Sequence, residues 1–107
     1  MAISQEIENI KDIIMRTVPA EKIFLFGSYA YGTQHENSDY DFYVVVPDDS
    51  DRPAKLTESI YNALYKKTGG KPVDILVKRF SDFEGRKILP TIEREVASKG
   101  IVLYGNV

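Results

Sequence analysis

The 107-residue chain contains no cysteine. Disulfides and thiolate metal sites are therefore excluded, and a reducing compartment is the natural setting. Nor is an apolar leader expected. Glu6, Glu8, Lys11 and Asp12 interrupt the apolar residues near the start, so neither a signal peptide nor a membrane span is expected. There is no basic run, and 14 Lys and Arg against 16 Asp and Glu leave a net charge of −2. That balance argues against broad electrostatic capture of nucleic acid or anionic lipid. No internal repeat, low-complexity tract or long linker divides the chain, and its length suits one small core. What is present is ordinary globular usage, 43% hydrophobic and 28% charged, which does not suit a disordered chain. The expectation is one soluble, cytoplasmic domain spanning residues 1–107.

Periodicity outlines the elements. Ile7, Ile10, Ile14 and Val18 recur at helical spacing. Ser4 can cap that helix, Glu6 and Glu8 suit its positive end, and Pro19 stops it. A short strand, Lys22 to Phe26, ends at Gly27. A second strand runs over about 39–47. A helix is expected over about 54–68, with Leu56, Ile60, Ala63 and Leu64 on one face and Gly69 and Gly70 as its stop. Residues 72–77 read as a third strand. Ser81 and Glu84 have capping-box spacing for a short helical turn. Ile92, Val96 and Gly100 outline a last helix that Pro90 starts or kinks, and Ile101 to Tyr104 form a closing strand. The order α-β-β-α-β-α-β predicts an α+β fold, a small mixed sheet of about four strands flanked by helices.

Residues 27–41 carry the chemistry: Gly27-Ser28-Tyr29-Ala30-Tyr31-Gly32, then, after a spacer, Ser38-Asp39-Tyr40-Asp41. The apolar run Phe42 to Val46 follows at once, so Asp39 and Asp41 open a strand and project from the same face. Paired carboxylates on a rigid element suit a hard cation such as Mg²⁺ bridged to substrate phosphates. Asp74 lies between Val73 and Ile75 in an apolar strand, where an acid is costly unless paired or metal-bound. If that strand lies beside the second, Asp74 completes a three-carboxylate cluster. Two cations about 3.5–4 Å apart could then stabilise both oxygens of an in-line displacement. Asp74 is also a candidate base for an acceptor hydroxyl. Gly27 and Gly32 let the backbone approach a phosphate, and Ser28 offers a hydroxyl and an amide.

Two familiar phosphate loops do not fit. A P-loop requires lysine after its second glycine, but Thr33 follows Gly32. A dinucleotide fingerprint requires a third glycine where Gln34, His35 and Glu36 stand. His35, the only histidine, sits in a polar loop and reads as an exposed residue. Asp48, Asp49 and Asp51 read as a solvated loop. Tyr43 and Tyr104 read as packing, whereas Tyr29 and Tyr31 are placed to line a nucleotide.

Taken together, Gly27-Ser28, Gly32, Ser38-Asp39-x-Asp41 and a distant acid in an apolar strand resemble the minimal nucleotidyltransferases of the DNA polymerase β superfamily. The resemblance extends over nearly the whole chain, including Lys99 to Tyr104 as the last strand. It implies transfer of a nucleoside monophosphate, AMP foremost, from ATP or another NTP, with release of pyrophosphate. It implies Asp39, Asp41 and Asp74 as catalytic residues and ligands of two Mg²⁺ ions. Gly27, Ser28, Gly32 and Ser38 become nucleotide-binding positions. Many members carry arginine where Tyr29 and Tyr31 stand, and Lys22, Arg52 and Lys71 are the candidate substitutes. Larger relatives append an acceptor-binding domain. Here the chain ends soon after the last strand, so the acceptor wall is expected from a second copy, a partner protein or the acceptor itself. The family's common partner is a small helical HEPN protein, in what looks like a toxin–antitoxin pair, with the hydroxyl of a partner tyrosine as acceptor. The alternatives are a binding-only antitoxin and a small-molecule, antibiotic-type nucleotidyltransferase.

Overall fold

A computed structural model describes residues 3–35, 38–68 and 70–105. Helix α1 (Gln5–Thr17) begins as its sequence dictates: the Ser4 hydroxyl accepts the Ile7 amide at 3.2 Å, and Ile7, Ile10 and Ile14 are buried on one stripe. Strand β1 (Lys22–Phe26) leads into a four-residue helical turn, α2 (Ser28–Tyr31), and then into β2 (Tyr40–Val46). Helix α3 (Pro53–Leu64) carries the chain to β3 (Val73–Arg79). Helices α4 (Phe80–Arg86) and α5 (Ile92–Lys99) precede β4 (Ile101–Tyr104). No helix among the described residues is long and apolar enough to cross a membrane.

The four strands form one mixed sheet in the order β3-β2-β1-β4. β1 is antiparallel to β2 and β4, while β2 and β3 are parallel. A parallel pair needs a long crossover, and α3 provides it. β2 is internal and covered on both faces, which explains its unbroken apolar run. On one face, α1 and α3 pack Ile10, Ile14, Leu56 and Ile60 against Ile23, Leu25, Phe42, Val44, Ile75 and Val77. On the other face, Phe24, Tyr43 and Val45 meet Phe83 of α4 and Val96 of α5.

Several boundaries differ from the sequence expectation, each for a local reason. α3 stops at Leu64 rather than near 68, with Tyr65 as a non-helical cap and Lys66 at φ 60°. Gly70, at φ 84°, lies beyond that end, and Gly69 falls outside the described residues. β3 runs on to Arg79 because it stays paired with β2 to Val46. α4 is not capped by Ser81. Arg79 is its cap residue, and the Ser81 amide donates to Asp48 Oδ1 at 2.9 Å. Asp48 is therefore a capping acceptor rather than a merely solvated loop acid. α5 is capped by Thr91, whose hydroxyl accepts the Arg94 amide, and Pro90 precedes that cap. Its buried face is Glu93 and Val96, while Ile92 is exposed. Tyr104 is also exposed, on an edge strand, and not core packing.

Candidate active site

The sheet topology brings the end of β1 to the starts of β2 and β3. Phe26 pairs with Asp41, and Asp41 pairs with Asp74. Side chains opposite one another in a sheet share a face. For Asp41 and Asp74 this is the face of Phe24, Tyr43 and Val45, the α4–α5 side. Asp39 is two residues before Asp41 and one residue before β2 begins. The expected juxtaposition of the two acid-bearing strands is thus present.

Gly27 joins β1 to α2 under two constraints. Its φ of 73° and ψ of −157° lie where L side chains rarely go, and a Cβ there would collide with Asp41 Oδ2. The carboxyl of Asp41 rests directly against the glycine. The α2 turn closes with the amides of Ala30 and Tyr31 on the Gly27 carbonyl at 3.0 and 3.1 Å. The Thr33 amide reaches the Ser28 carbonyl at 3.0 Å. Gly32 ends the turn in the left-handed conformation with open space around it, so its role is conformational rather than one of close approach. The leading amides of a helical turn have no partner within it, which leaves Ser28 at a donor-rich position beside Asp41.

The electrostatics of the acids follow from their placement. Burial, then the charge of Asp74 and a hydrogen bond with it, then the charge of Asp39, push the Asp41 carboxyl up from 3.8 to about 6. Asp74 is exposed, while Asp39 and Asp41 are half-buried. Among the described residues, no group of three His, Asp or Glu side chains is gathered into a ready metal cage. The donor chemistry nevertheless fits Mg²⁺, which takes one or two carboxylates and fills its remaining positions from water and substrate phosphates. A cation would also relieve the repulsion that raises Asp41.

The other predicted residues divide. Ser38 is buried, and its hydroxyl accepts the His35 amide at 2.9 Å while its own amide donates to the His35 carbonyl at 2.9 Å. It shapes the loop before Asp39. His35 is exposed, as expected. Tyr31 stays beside the acids, where burial and the charge of Glu95 push its phenol up. Tyr29 turns to the opposite face and packs on Tyr40, ring centroids 4.6 Å apart. Of the candidate cations, Lys71 reaches the margin of the site: its ammonium donates to the Tyr29 hydroxyl at 2.8 Å. Lys22 pairs with Val45 near the far end of β2, and Arg52 precedes α3 beyond that end, so neither serves the aspartates. A cleft of about 430 Å³ between the end of α3 and the start of β3, lined by Tyr61, Tyr65, Lys66 and Lys71, contains none of the three acids.

Sequence reasoning missed Glu93. It is 1% exposed and accepts from Tyr43 OH at 2.8 Å and Arg86 Nε at 2.9 Å. Tyr43 follows Asp41 by two residues on the same face, so this network lies next to the acids. The available signal was its spacing of three from Val96, which places both on one helical face.

Residues 8–106 match the family model described as polymerase beta, nucleotidyltransferase. The protein adenylyltransferase MntA of Shewanella oneidensis is 48% identical over 44 residues, 39% of this chain and 32% of the relative, so the match spans about a third of that relative's length. The crystal structure of a toxin–antitoxin with AMP-PNP aligns over 96% of this chain and 75% of that one, at 27% identity and a TM-score of 0.62. A mutant MntA-HpeT toxin–antitoxin structure aligns over 92% and 73%, at 25% identity and a TM-score of 0.59. On the family match over nearly its whole length and the shared fold, this chain is a member of the polymerase beta nucleotidyltransferase family.

Proposed function

We propose that this protein transfers AMP from ATP to a hydroxyl on a partner protein, as the antitoxin half of a toxin–antitoxin pair whose toxin is HEPN-like. The observation that carries the reading is the pairing of Asp41 with Asp74, against Gly27 and beside Asp39. Membership of a nucleotidyltransferase family supports it, as do the adenylyltransferase name of one relative and the AMP-PNP in a toxin–antitoxin neighbour.

In this reading Asp39, Asp41 and Asp74 hold Mg²⁺, as the two-cation arrangement expected of the family. The cations, when bound, supply positive charge to the phosphate oxygens. Gly27 and Ser28 grip the triphosphate through backbone amides and the Ser28 hydroxyl, on the turn that Gly32 closes, and Ser38 faces the nucleotide from the loop before Asp39. The acceptor oxygen attacks the α-phosphorus, the bond to the bridging oxygen breaks, and pyrophosphate leaves. Asp74, the exposed member of the paired acids, takes the hydroxyl proton.

The test mixes this protein, the candidate toxin, ATP and Mg²⁺, and weighs the toxin. The toxin is expected to gain the mass of AMP with the wild type and not with Asp39→Asn/Asp41→Asn. If both forms neutralise the toxin equally and its mass is unchanged, the protein is a binding-only antitoxin. Modification of an aminoglycoside-type small molecule but not of the toxin would favour the antibiotic-type reading.

A further inference from the structure

A four-residue helix does not hold itself in place, because nucleation costs more than one turn returns. α2 buries none of its residues and joins β1 through a glycine at positive φ. Something outside the turn must fix it relative to Asp39 and Asp41. Tyr29 and Ala30 lean on the α1–α3 core, and the polar contacts of the turn converge on Lys71. Its ammonium donates to the Tyr29 hydroxyl of α2 at 2.8 Å and approaches the Ser38 carbonyl, just before Asp39, at 3.5 Å. It lies 5.3 Å from the centre of the Tyr29 ring and 5.6 Å from that of Tyr40. Those two rings contact each other. The next residue, Pro72, accepts the Tyr40 amide at 3.1 Å, so the backbone carrying Lys71 is itself tied to β2.

We infer that Lys71 is a positioning residue, which fastens the α2 turn to the start of β2 from the face opposite the aspartates. Tyr40 belongs to the α1–α3 face, and Asp41 alternates to the other. The ammonium therefore contributes a charge-assisted hydrogen bond and two cation–π contacts behind the site, without sitting among the acids. Its effect on the nucleotide passes through Tyr29: it fixes where Gly27 and Ser28 stand relative to Asp39 and Asp41. This rests on the proposed role of that turn in gripping a triphosphate.

The experiment compares Lys71→Met, Lys71→Arg and Tyr29→Phe in the full chain, by amide hydrogen exchange and by titration with Mg²⁺ and ATP. Exchange at Ala30, Tyr31 and Thr33, whose amides close the turn, is expected to quicken by about tenfold in Lys71→Met, while sheet amides hold their rates. Affinity for ATP with Mg²⁺ is expected to fall by about tenfold, the effect of one charged contact. Lys71→Arg recovers most of both. Tyr29→Phe loosens the same amides to a smaller extent, and adding it to Lys71→Met changes little further, because the two groups act as one. Unchanged exchange at the turn in Lys71→Met would overturn the inference. So would an acceleration spread evenly over the sheet, which would report general destabilisation. A wild type that binds no ATP would defeat the triphosphate reading, while the exchange data would still decide what Lys71 does.

Discussion

Asp41 is a carboxyl that its surroundings press to stay protonated, and this has a thermodynamic consequence. Its folded-state pKa is raised from 3.8 to about 6 by burial first, and then by Asp74 and Asp39. A group raised in this way favours the folded state fully below its unfolded value of 3.8, and that advantage is lost as the pH rises through about 6. In the absence of metal, Asp41→Asn should therefore gain stability relative to the wild type between about pH 4 and pH 7. The group is half-exposed, so screening reduces the gain to about 1 kcal/mol. Urea unfolding in chelator at pH 4 and at pH 7.5 measures it, and a difference that does not grow with pH would remove Asp41 from the acid pair. This residue was legible from the spacing of Asp39 and Asp41 and the apolar run after them. Its pairing with Asp74 depended on strand order, which spacing alone leaves conditional. Ser38 shows what a motif alone leaves out: its hydroxyl also accepts an amide of its own loop, a local bond that the motif does not announce.

At the scale of elements, sequence was informative wherever the signal was local. Ser4 caps α1 at a distance of three residues, and the Ile7, Ile10, Ile14 stripe is core. It misled where the partner was remote. The acceptor at the start of α4 is Asp48, thirty-three positions from Ser81, so a capping box read from neighbours could not find it. α5 is the clearest case, because a glutamate on a short helix ordinarily reads as solvated surface. Glu93 is instead the buried link between α5 and the sheet, through Tyr43 and the exposed Arg86. Burial alone would raise its pKa. The hydrogen bonds from Arg86 and Tyr43, with the Arg86 charge, outweigh burial and hold it below 4.5. Its contribution is therefore present above 4.5 and lost as the pH falls through the depressed folded value. Glu93→Ala should cost about 3 kcal/mol, because it leaves the Tyr43 hydroxyl buried without its acceptor and opens a cavity. Glu93→Gln should cost less and flatten the acid limb of stability. Denaturant unfolding from pH 3 to pH 7 separates the two. A Glu93→Ala variant as stable as the wild type would place α5 outside the cooperative core.

For the whole molecule, the sheet concentrates negative charge at one end. Asp41 and Asp74 pair there on one face with Asp39 just before the strand, Lys71 stands behind them on the other face, and the chain as a whole carries −2. A triphosphate brought to that end without a cation meets like charge at close range, and the amides of one helical turn cannot offset it. Nucleotide binding should therefore depend on metal, and the dependence should reside in the acids. ATP is expected to bind the wild type at least about tenfold more tightly with Mg²⁺ than in chelator, a difference of at least about 1.4 kcal/mol. In Asp39→Asn/Asp41→Asn the dependence on Mg²⁺ should largely vanish. Metal-free ATP should bind this variant no worse than it binds the wild type, because two repelling charges have been removed. Added salt should improve metal-free binding to the wild type by screening the same repulsion, and should change the variant less. Calorimetric titration of both proteins, with and without Mg²⁺ and at two ionic strengths, gives every comparison. If affinity is equal with and without metal in both proteins, the nucleotide is held away from the aspartates, and the carboxylates are not its cation site.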